Sequence, residues 1–285
     1  METKISSATK ELIISPDRPT VLIGERINPA GKKHLQEALK AGNLELIKEE
    51  AISQVQAGAD ALDVCVGTFG VDEVRLLPEV IKMLMEIVDV PLCIDTANPE
   101  ALEASLKVYK GKALINSVTG EEHSLRRVLP LVKEYGTAVI GLLQDDEGIP
   151  KDAERRVAIA GKIIERAESM GIDRSNIIID CLASSVGADQ KAGIAVLEAI
   201  RKVREKFGVN ITLGASNMSF GLPDRELLNR TFVAMAIECG ATCLIVDVAQ
   251  VRPAVLAADL IMGKDVRARR YIANYRERMS SLKKP

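Results

Sequence analysis

A (β/α)8 barrel, an α/β fold, is the architecture this sequence predicts, and three observations carry the prediction. Eight short apolar runs alternate with segments of helical periodicity. The runs are continuous rather than alternating, as expected of parallel strands covered on both faces. Four of them end in a carboxylate or an amide: Leu92-Cys-Ile-Asp95, Leu114-Ile-Asn116, Ile177-Ile-Ile-Asp180 and Ile211-Thr-Leu-Gly-Ala-Ser-Asn217. In a barrel the C-terminal strand ends share one mouth, so these four side chains would converge. The 285 residues suit one barrel domain, commonly about 250 residues long. An open doubly wound sheet is the alternative, but no Gly-x-Gly-x-x-Gly follows the first strand and no Gly-x-x-x-x-Gly-Lys-Ser/Thr occurs.

Residues 1–20 read as an N-terminal arm, polar and loose through Ser15-Pro-Asp17, before a single barrel domain over 21–285. The first strand is Val21 to Asn28, with Glu25, Arg26 and Asn28 at its open end. Helical periodicity follows over His34–Leu39 and Leu44–Val55, broken at Gly42-Asn43. Gly58 to Gly67 holds a turn, the second strand with Asp63, and a glycine exit. A helix spans Asp72 to Val88. Pro91 opens the third strand, and Asn98-Pro99-Glu100 then has a cap and a first-turn proline for a helix ending near Tyr109.

The fourth strand, Ala113–Ser117, precedes a helix from Glu121 to Tyr135. The fifth, Ala138–Leu143, empties into the acidic loop Gln144-Asp-Asp-Glu-Gly-Ile-Pro150 and a helix over Ala153–Met170. The sixth, Ile177–Asp180, leads through the small, flexible Cys181–Gly187 loop to a helix over Ala192–Phe207. The seventh, Ile211–Ser216, is followed by a helix over Arg225–Cys239. The eighth is Cys243–Asp247, and a last helical segment closes the chain.

Composition narrows the function. Residues are 47% hydrophobic but only 3% aromatic, with no Trp, so the core must be aliphatic. A net charge of −2 gives no electrostatic basis for binding nucleic acid or an anionic membrane. No apolar run approaches the roughly 18–20 residues of a membrane span. The N-terminal Met-Glu-Thr-Lys-Ile-Ser lacks a signal pattern, so a cytoplasmic location is expected. Five cysteines, an odd number, fit a reducing compartment. All five read as buried thiols, with Cys65 and Cys181 nearest the proposed mouth. Cys239 and Cys243 have no second pair to complete a zinc site, and no bound metal is expected.

Asp63 and Asp247 also lie at or near strand ends, where an Asp serves equally well as helix cap or loop anchor. The whole set could hold magnesium or calcium, although two amides dilute its charge. It could equally bind a flat heterocycle. A carboxylate accepts from two adjacent N–H groups of a pyrimidinone with an exocyclic amine, and an Asn both donates and accepts. Asn217, presented by Gly214 and small residues including Ser216, suits a substrate whose protonation changes. Glu25 and Arg26 could pair as ions at the barrel floor or rim, and Asp145-Asp-Glu147 fits a solvated loop. Ser184 and Ser185 lack a His partner, and His34 and His123 fall on solvated helical faces.

Seven segments then come in order at barrel spacing. They are Ile23-Gly-Glu-Arg-Ile-Asn28; Ala61-Leu-Asp63 with Val66-Gly67; Leu92-Cys-Ile-Asp95 with Asn98; and Ile115-Asn-Ser117. The others are Gly148-Ile-Pro-Lys-Asp152, Gly214-x-Ser-Asn217 and Asn229-Arg-Thr-Phe-x-Ala-Met-Ala236. Together they resemble the methyltetrahydrofolate:corrinoid protein methyltransferases, pterin-binding TIM barrels related to the folate module of methionine synthase. The resemblance covers Val21 to Val266. It departs at Cys65, where the family carries an Asn, and at Phe220, where it carries a polar amide.

The resemblance implies that Asp95 and Asp180 bind the pyrimidine-side nitrogens of a pterin, with Asn116 in support. It implies that Asn217 reaches N5 and is the catalytic residue, and that Asp63, Gly214 and Ser216 belong to the same site. The implied substrates are tetrahydrofolate and 5-methyltetrahydrofolate. The implied partner is a separate corrinoid protein carrying cobalamin, since no Asp-x-His-x-x-Gly loop is found here. A homodimer is expected from the family, as is a place in one-carbon metabolism, including O-demethylation. A tertiary amine leaves poorly, so N5 must gain a proton before or during the passage of its methyl group to cobalt. Asn217 can turn its carbonyl toward the protonated amine, the proton arriving from solvent through a network that includes an aspartate. A non-enzymatic folate-binding barrel is the alternative. A dihydropteroate synthase ranks lower, because the segment after strand seven reads Ser-Asn-Met-Ser-Phe-Gly, where a basic Ser-Arg-Lys type is needed.

Overall fold

The structure, a computed structural model, describes residues 1–281, so residues 282–285 of the expected barrel domain lie outside the described residues. Two strands precede the barrel: β1 (Thr3–Ser6) and β2 (Glu11–Ile14), an antiparallel hairpin. The expectation of a loose arm is therefore corrected. Ile5 and Ile14 are fully buried inside the barrel, where they close its N-terminal end. Burial of each such side chain contributes about 1.5–3 kcal/mol toward the cost of ordering the hairpin. Asn210 fastens the plug, its amide donating to Thr3 Oγ1 at 2.9 Å and to the Ile14 carbonyl at 3.0 Å.

Eight parallel strands form the barrel wall: β3 (Val21–Ile27), β4 (Ala61–Val64), β5 (Leu92–Asp95), β6 (Leu114–Thr119), β7 (Ala138–Leu142), β8 (Ile177–Asp180), β9 (Asn210–Thr212) and β10 (Cys243–Val246). They neighbour one another in sequence order, and β10 pairs with β3. Between β9 and β10 the ring closes through Thr242 N–H to Ile211 O (3.0 Å) and Ile245 N–H to Leu213 O (3.1 Å). The predicted (β/α)8 barrel is the observed fold.

Strand parity decides which residues meet inside. Ile23, Ala61, Cys93, Leu114, Ile140 and Ile178 pack in the barrel interior, while Leu22, Leu62, Ile94, Ile115, Val139 and Ile179 pack outward under the helices. Alternate residues share a face. Two positions beyond Ile23, Ala61, Cys93, Leu114 and Ile178 stand Glu25, Asp63, Asp95, Asn116 and Asp180. A polar layer thus sits directly above an aliphatic one.

The helices are α1 (Lys33–Lys40), α2 (Glu45–Gln56), α3 (Glu73–Ile87), α4 (Pro99–Val108), α5 (Glu122–Tyr135), α6 (Ala153–Ser169), α7 (Ala192–Phe207), α8 (Arg225–Cys239), α9 (Val248–Ile261) and α10 (Arg269–Ser281). Asn98 caps α4 as expected, accepting from Glu100 N–H (3.0 Å) and Ala101 N–H (3.3 Å). Asp152 does the same for α6 through Arg155 N–H at 2.8 Å. The seventh strand is shorter than expected. β9 stops at Thr212, and Ala215–Ser219 coil into a 3-10 turn. No β-branched residue favours extension beyond Thr212, and Asn217 N–H closes the turn on Gly214 O at 3.2 Å. Among the described residues no helix is long and apolar enough to cross a membrane.

Candidate active site

A cavity of about 590 Å³ opens at the C-terminal mouth of the barrel. All seven predicted site residues line it: Asp63, Asp95, Asn116, Asp180, Gly214, Ser216 and Asn217. So do Glu25, Lys32, Leu182, Phe220 and Arg225, to which the sequence alone assigned no part in the site.

Asp180 sits at the end of β8, buried, and accepts Leu182 N–H at 2.6 Å. That contact needs the chain to reverse at once, and Leu182 takes a left-handed φ of 55° to do so. Arg156 of α6 holds the reversal. It is 2% exposed and donates to the carbonyls of Pro150 (3.1 Å), Cys181 (2.7 Å) and Leu182 (3.0 Å). The loop expected to be flexible is therefore fixed at its root. Burial pushes the Asp180 carboxyl up to about 6, with backbone N–H donors and Arg156 opposing the shift.

Asp63 and Asp95 stand near each other on neighbouring strands, and Asp95 is in register with Asn116. Burial raises both carboxyls, and the neighbouring Asp63 charge raises Asp95 further. Asn116 Nδ2 donates to Asp63 Oδ1 at 3.1 Å. With Glu25, four desolvated carboxyls line one cavity, which favours a ligand that brings N–H donors.

Across the mouth, the Ser216 hydroxyl donates to Glu25 Oε1 at 2.6 Å. No Glu25–Arg26 ion pair forms, because successive strand residues point to opposite faces. Arg26 instead points outward, pairing with Glu50 of α2 at 2.7 and 2.8 Å and with Asp247 at 3.1 Å. Asp247 thereby serves as an anchor at the start of α9 and does not line the cavity. The Asp145–Glu147 loop is likewise tied down, Arg155 meeting Asp145 at 2.9 Å and Glu147 at 2.6 Å.

Asn217 is exposed at the rim, and no side-chain hydrogen bond holds its amide among the described residues. Gly214 leaves room for it, since a Cβ there would lie 3.0 Å from Asn217 Nδ2. Arg225 braces the turn from below, donating to Ser216 O (2.9 Å) and Ser219 Oγ (3.0 Å). Cys65, Cys93 and Cys181 are free thiols pushed up by burial, so they stay neutral rather than nucleophilic. His34 and His123 are exposed and outside the cavity.

Residues 24–247 match the family described as pterin binding enzyme. This chain belongs to the pterin-binding enzymes. Among relatives of this pterin-binding chain is a methylcorrinoid:tetrahydrofolate methyltransferase from Eubacterium limosum, 31% identical over 265 residues, covering 90% of this chain and 96% of the relative. Methionine synthase of Mycobacterium tuberculosis is 32% identical over 265 residues, covering 88% of this chain but 22% of the synthase. The family recognised in the seven motifs is thus the one found. Dihydropteroate synthases share the fold. The Xanthomonas albilineans enzyme with 4-aminobenzoic acid superposes with a TM-score of 0.71 at 21% identity, over 92% of this chain and 99% of that one. The Yersinia pestis enzyme with a pterine-sulfa conjugate gives 0.69 at 19% identity, over 92% and 100%.

Proposed function

We propose that this protein transfers a methyl group between N5 of tetrahydrofolate and the cobalt of a corrinoid carried by a separate protein. One observation carries the reading: an unpartnered amide, Asn217, stands at the rim of a cavity floored by buried carboxyls. The similarity to the Eubacterium limosum enzyme along nearly the whole chain supports it. Asp95 and Asp180 would accept the pyrimidine-side N–H groups, and Asn116 would present its carbonyl beside them. The roughly 590 Å³ available suits a pterin with part of its tail.

The corrinoid supplies a cobalt centre that takes up or releases methyl. This chain's residues act on the folate. The barrel floor fixes the ring, and Asn217 turns its carbonyl toward protonated N5, so that the C–N electron pair returns to nitrogen as methyl departs. In the opposite direction the same contacts receive the methyl group. Arg225 is engaged with Ser216 and Ser219, and the segment after β9 reads Ser-Asn-Met-Ser-Phe-Gly where the pyrophosphate of a pteroate synthase would call for a basic Ser-Arg-Lys type. A homodimer belongs to the same reading, and a monomeric mass by light scattering at micromolar concentration would count against it.

The test is spectroscopic: cobalamin methylation by 5-methyltetrahydrofolate with the purified protein. Folate binding without any transfer would favour a binding barrel. Dihydropteroate formation from p-aminobenzoate would favour the synthase.

A further inference from the structure

Glu25 takes no part in the chemistry above, yet it lines the cavity on the side of Asn217. It reaches the mouth from β3, while Ser216, one residue before Asn217, donates to its Oε1 at 2.6 Å. That contact fixes one carboxyl oxygen and leaves Oε2 without a hydrogen bond among the described residues. A carboxyl held in this way carries its proton on the free oxygen, which belongs to the group lining the cavity. The other carboxyls are placed differently. Asp180 is tied to Leu182 N–H, Asp63 to Asn116 and Asp95 to the Cys65 thiol, all on the barrel floor.

We propose that Glu25 is the acid that protonates N5, with Ser216 positioning it and Asn217 holding the protonated amine. The inference rests on the methyl-transfer reading. In the step, the Glu25 O–H bond breaks and its proton joins the N5 lone pair, giving a methylammonium and a carboxylate. Methyl then leaves, the C–N pair returns to N5, and N5–H remains on tetrahydrofolate. The carboxylate regains a proton from water at the open mouth. The surroundings favour the protonated form at rest. Burial raises the Glu25 carboxyl, as do Asp247 and Asp63, while the Ser216 hydroxyl and Lys32 lower it.

Two variants of the whole protein test this. Glu25→Gln keeps an acceptor for Ser216 but has no acidic proton. Single-turnover transfer to cobalamin should fall by about 10²-fold at pH 7.5, within the usual span for a general acid. Folate affinity should stay within a few-fold, and the remaining rate should rise as pH falls, following protonation of N5 by solvent. Ser216→Ala removes the contact that lowers the Glu25 carboxyl, so the alkaline limb of the pH–rate profile should move to higher pH. A merely structural Ser216 would lower the rate without moving the limb. A Glu25→Gln protein with unchanged rate and profile, or one that no longer binds folate, would overturn the assignment. So would a fixed alkaline limb in Ser216→Ala. Absence of transfer by the wild-type protein would instead overturn the reading beneath it.

Discussion

Asn116 of β6 reaches across β5 inside the barrel and donates its side-chain N–H to Asp63 Oδ1 of β4 at 3.1 Å. A carboxylate oxygen only accepts, so this contact turns the Asn116 carbonyl away from Asp63 and leaves it for a ligand donor. On the proposed reading, Asp63 would act on a bound folate through Asn116. Asp63→Ala should free the amide to rotate and weaken folate affinity by about fivefold, the equivalent of about 1 kcal/mol for one neutral hydrogen bond. Adding Asn116→Ala should then cost no more than Asn116→Ala alone. Calorimetry on the two single variants and the double variant checks this, and fully additive losses would mean Asp63 touches the ligand itself.

Asp95 and Asp180 are expected to contact the ring directly. Asp180→Ala should leave buried pterin N–H donors unpaired, at roughly 1–3 kcal/mol each, and Asp95→Ala should do likewise. Unchanged folate affinity in both variants would move the binding site away from the barrel mouth.

The same carboxyls make the empty protein pH-sensitive. Asp180 is raised in the folded state to about 6 from an ordinary 3.8. The folded chain therefore holds that proton more tightly than the unfolded chain. Its contribution to stability is full below about pH 4 and is lost as pH rises through about 6. Asp180→Asn keeps an acceptor for Leu182 N–H without a charge. It should unfold in urea at pH 7.5 with roughly 1–3 kcal/mol more stability than wild type, the gap closing toward pH 4. A variant less stable than wild type at pH 7.5 would show that the carboxylate is stabilised by its surroundings.

How far the sequence foretold this molecule depends on where each signal lies. The barrel was legible because strands covered on both faces read as unbroken apolar runs, and their polar last residues mark one end. Asp95, Asn116 and Asp180 also follow Cys93, Leu114 and Ile178 at the spacing that keeps them facing inward. The N-terminal hairpin was not legible, because Ile5 and Ile14 find their partners only inside a closed barrel. Glu25 could have been placed. It shares a face with Ile23, and the same alternation forbids a pair with Arg26. Arg156 stands between Ala153, Val157 and Ala160 on the buried face of α6, a position where a charge needs a reason.

That reason is the pair of carbonyls after β8 together with Pro150. Arg156→Met would fill similar space but leave three acceptors without donors, the carbonyls of Pro150 and Cys181 among them buried. Stability should fall by roughly 2–4 kcal/mol, as for a buried charged network that loses a member. Hydrogen exchange at the Leu182 amide should quicken more than exchange in β3 or β4. Uniform quickening across the barrel would indicate a global effect and not a released loop.

Asn217 is the residue at which experiment can separate binding from chemistry. If its amide chiefly stabilises protonated N5, it matters more in the transition state than in the ground state. Asn217→Ala should slow methyl transfer by roughly 10²–10³-fold, the loss typical of one electrostatic contact at a reacting centre. Folate affinity should fall less, because Asp95, Asn116 and Asp180 remain in place on the floor of the cavity. Lower pH should restore part of the rate, since N5 then carries its proton without help from the amide. The variant should also fold normally, because the Asn217 side chain is exposed and the turn is held by Arg225 and by backbone contacts. Single-turnover measurement decides the matter: a near-wild-type rate, or a deficit wholly accounted for by weaker binding, would leave Asn217 as a group that only positions the substrate.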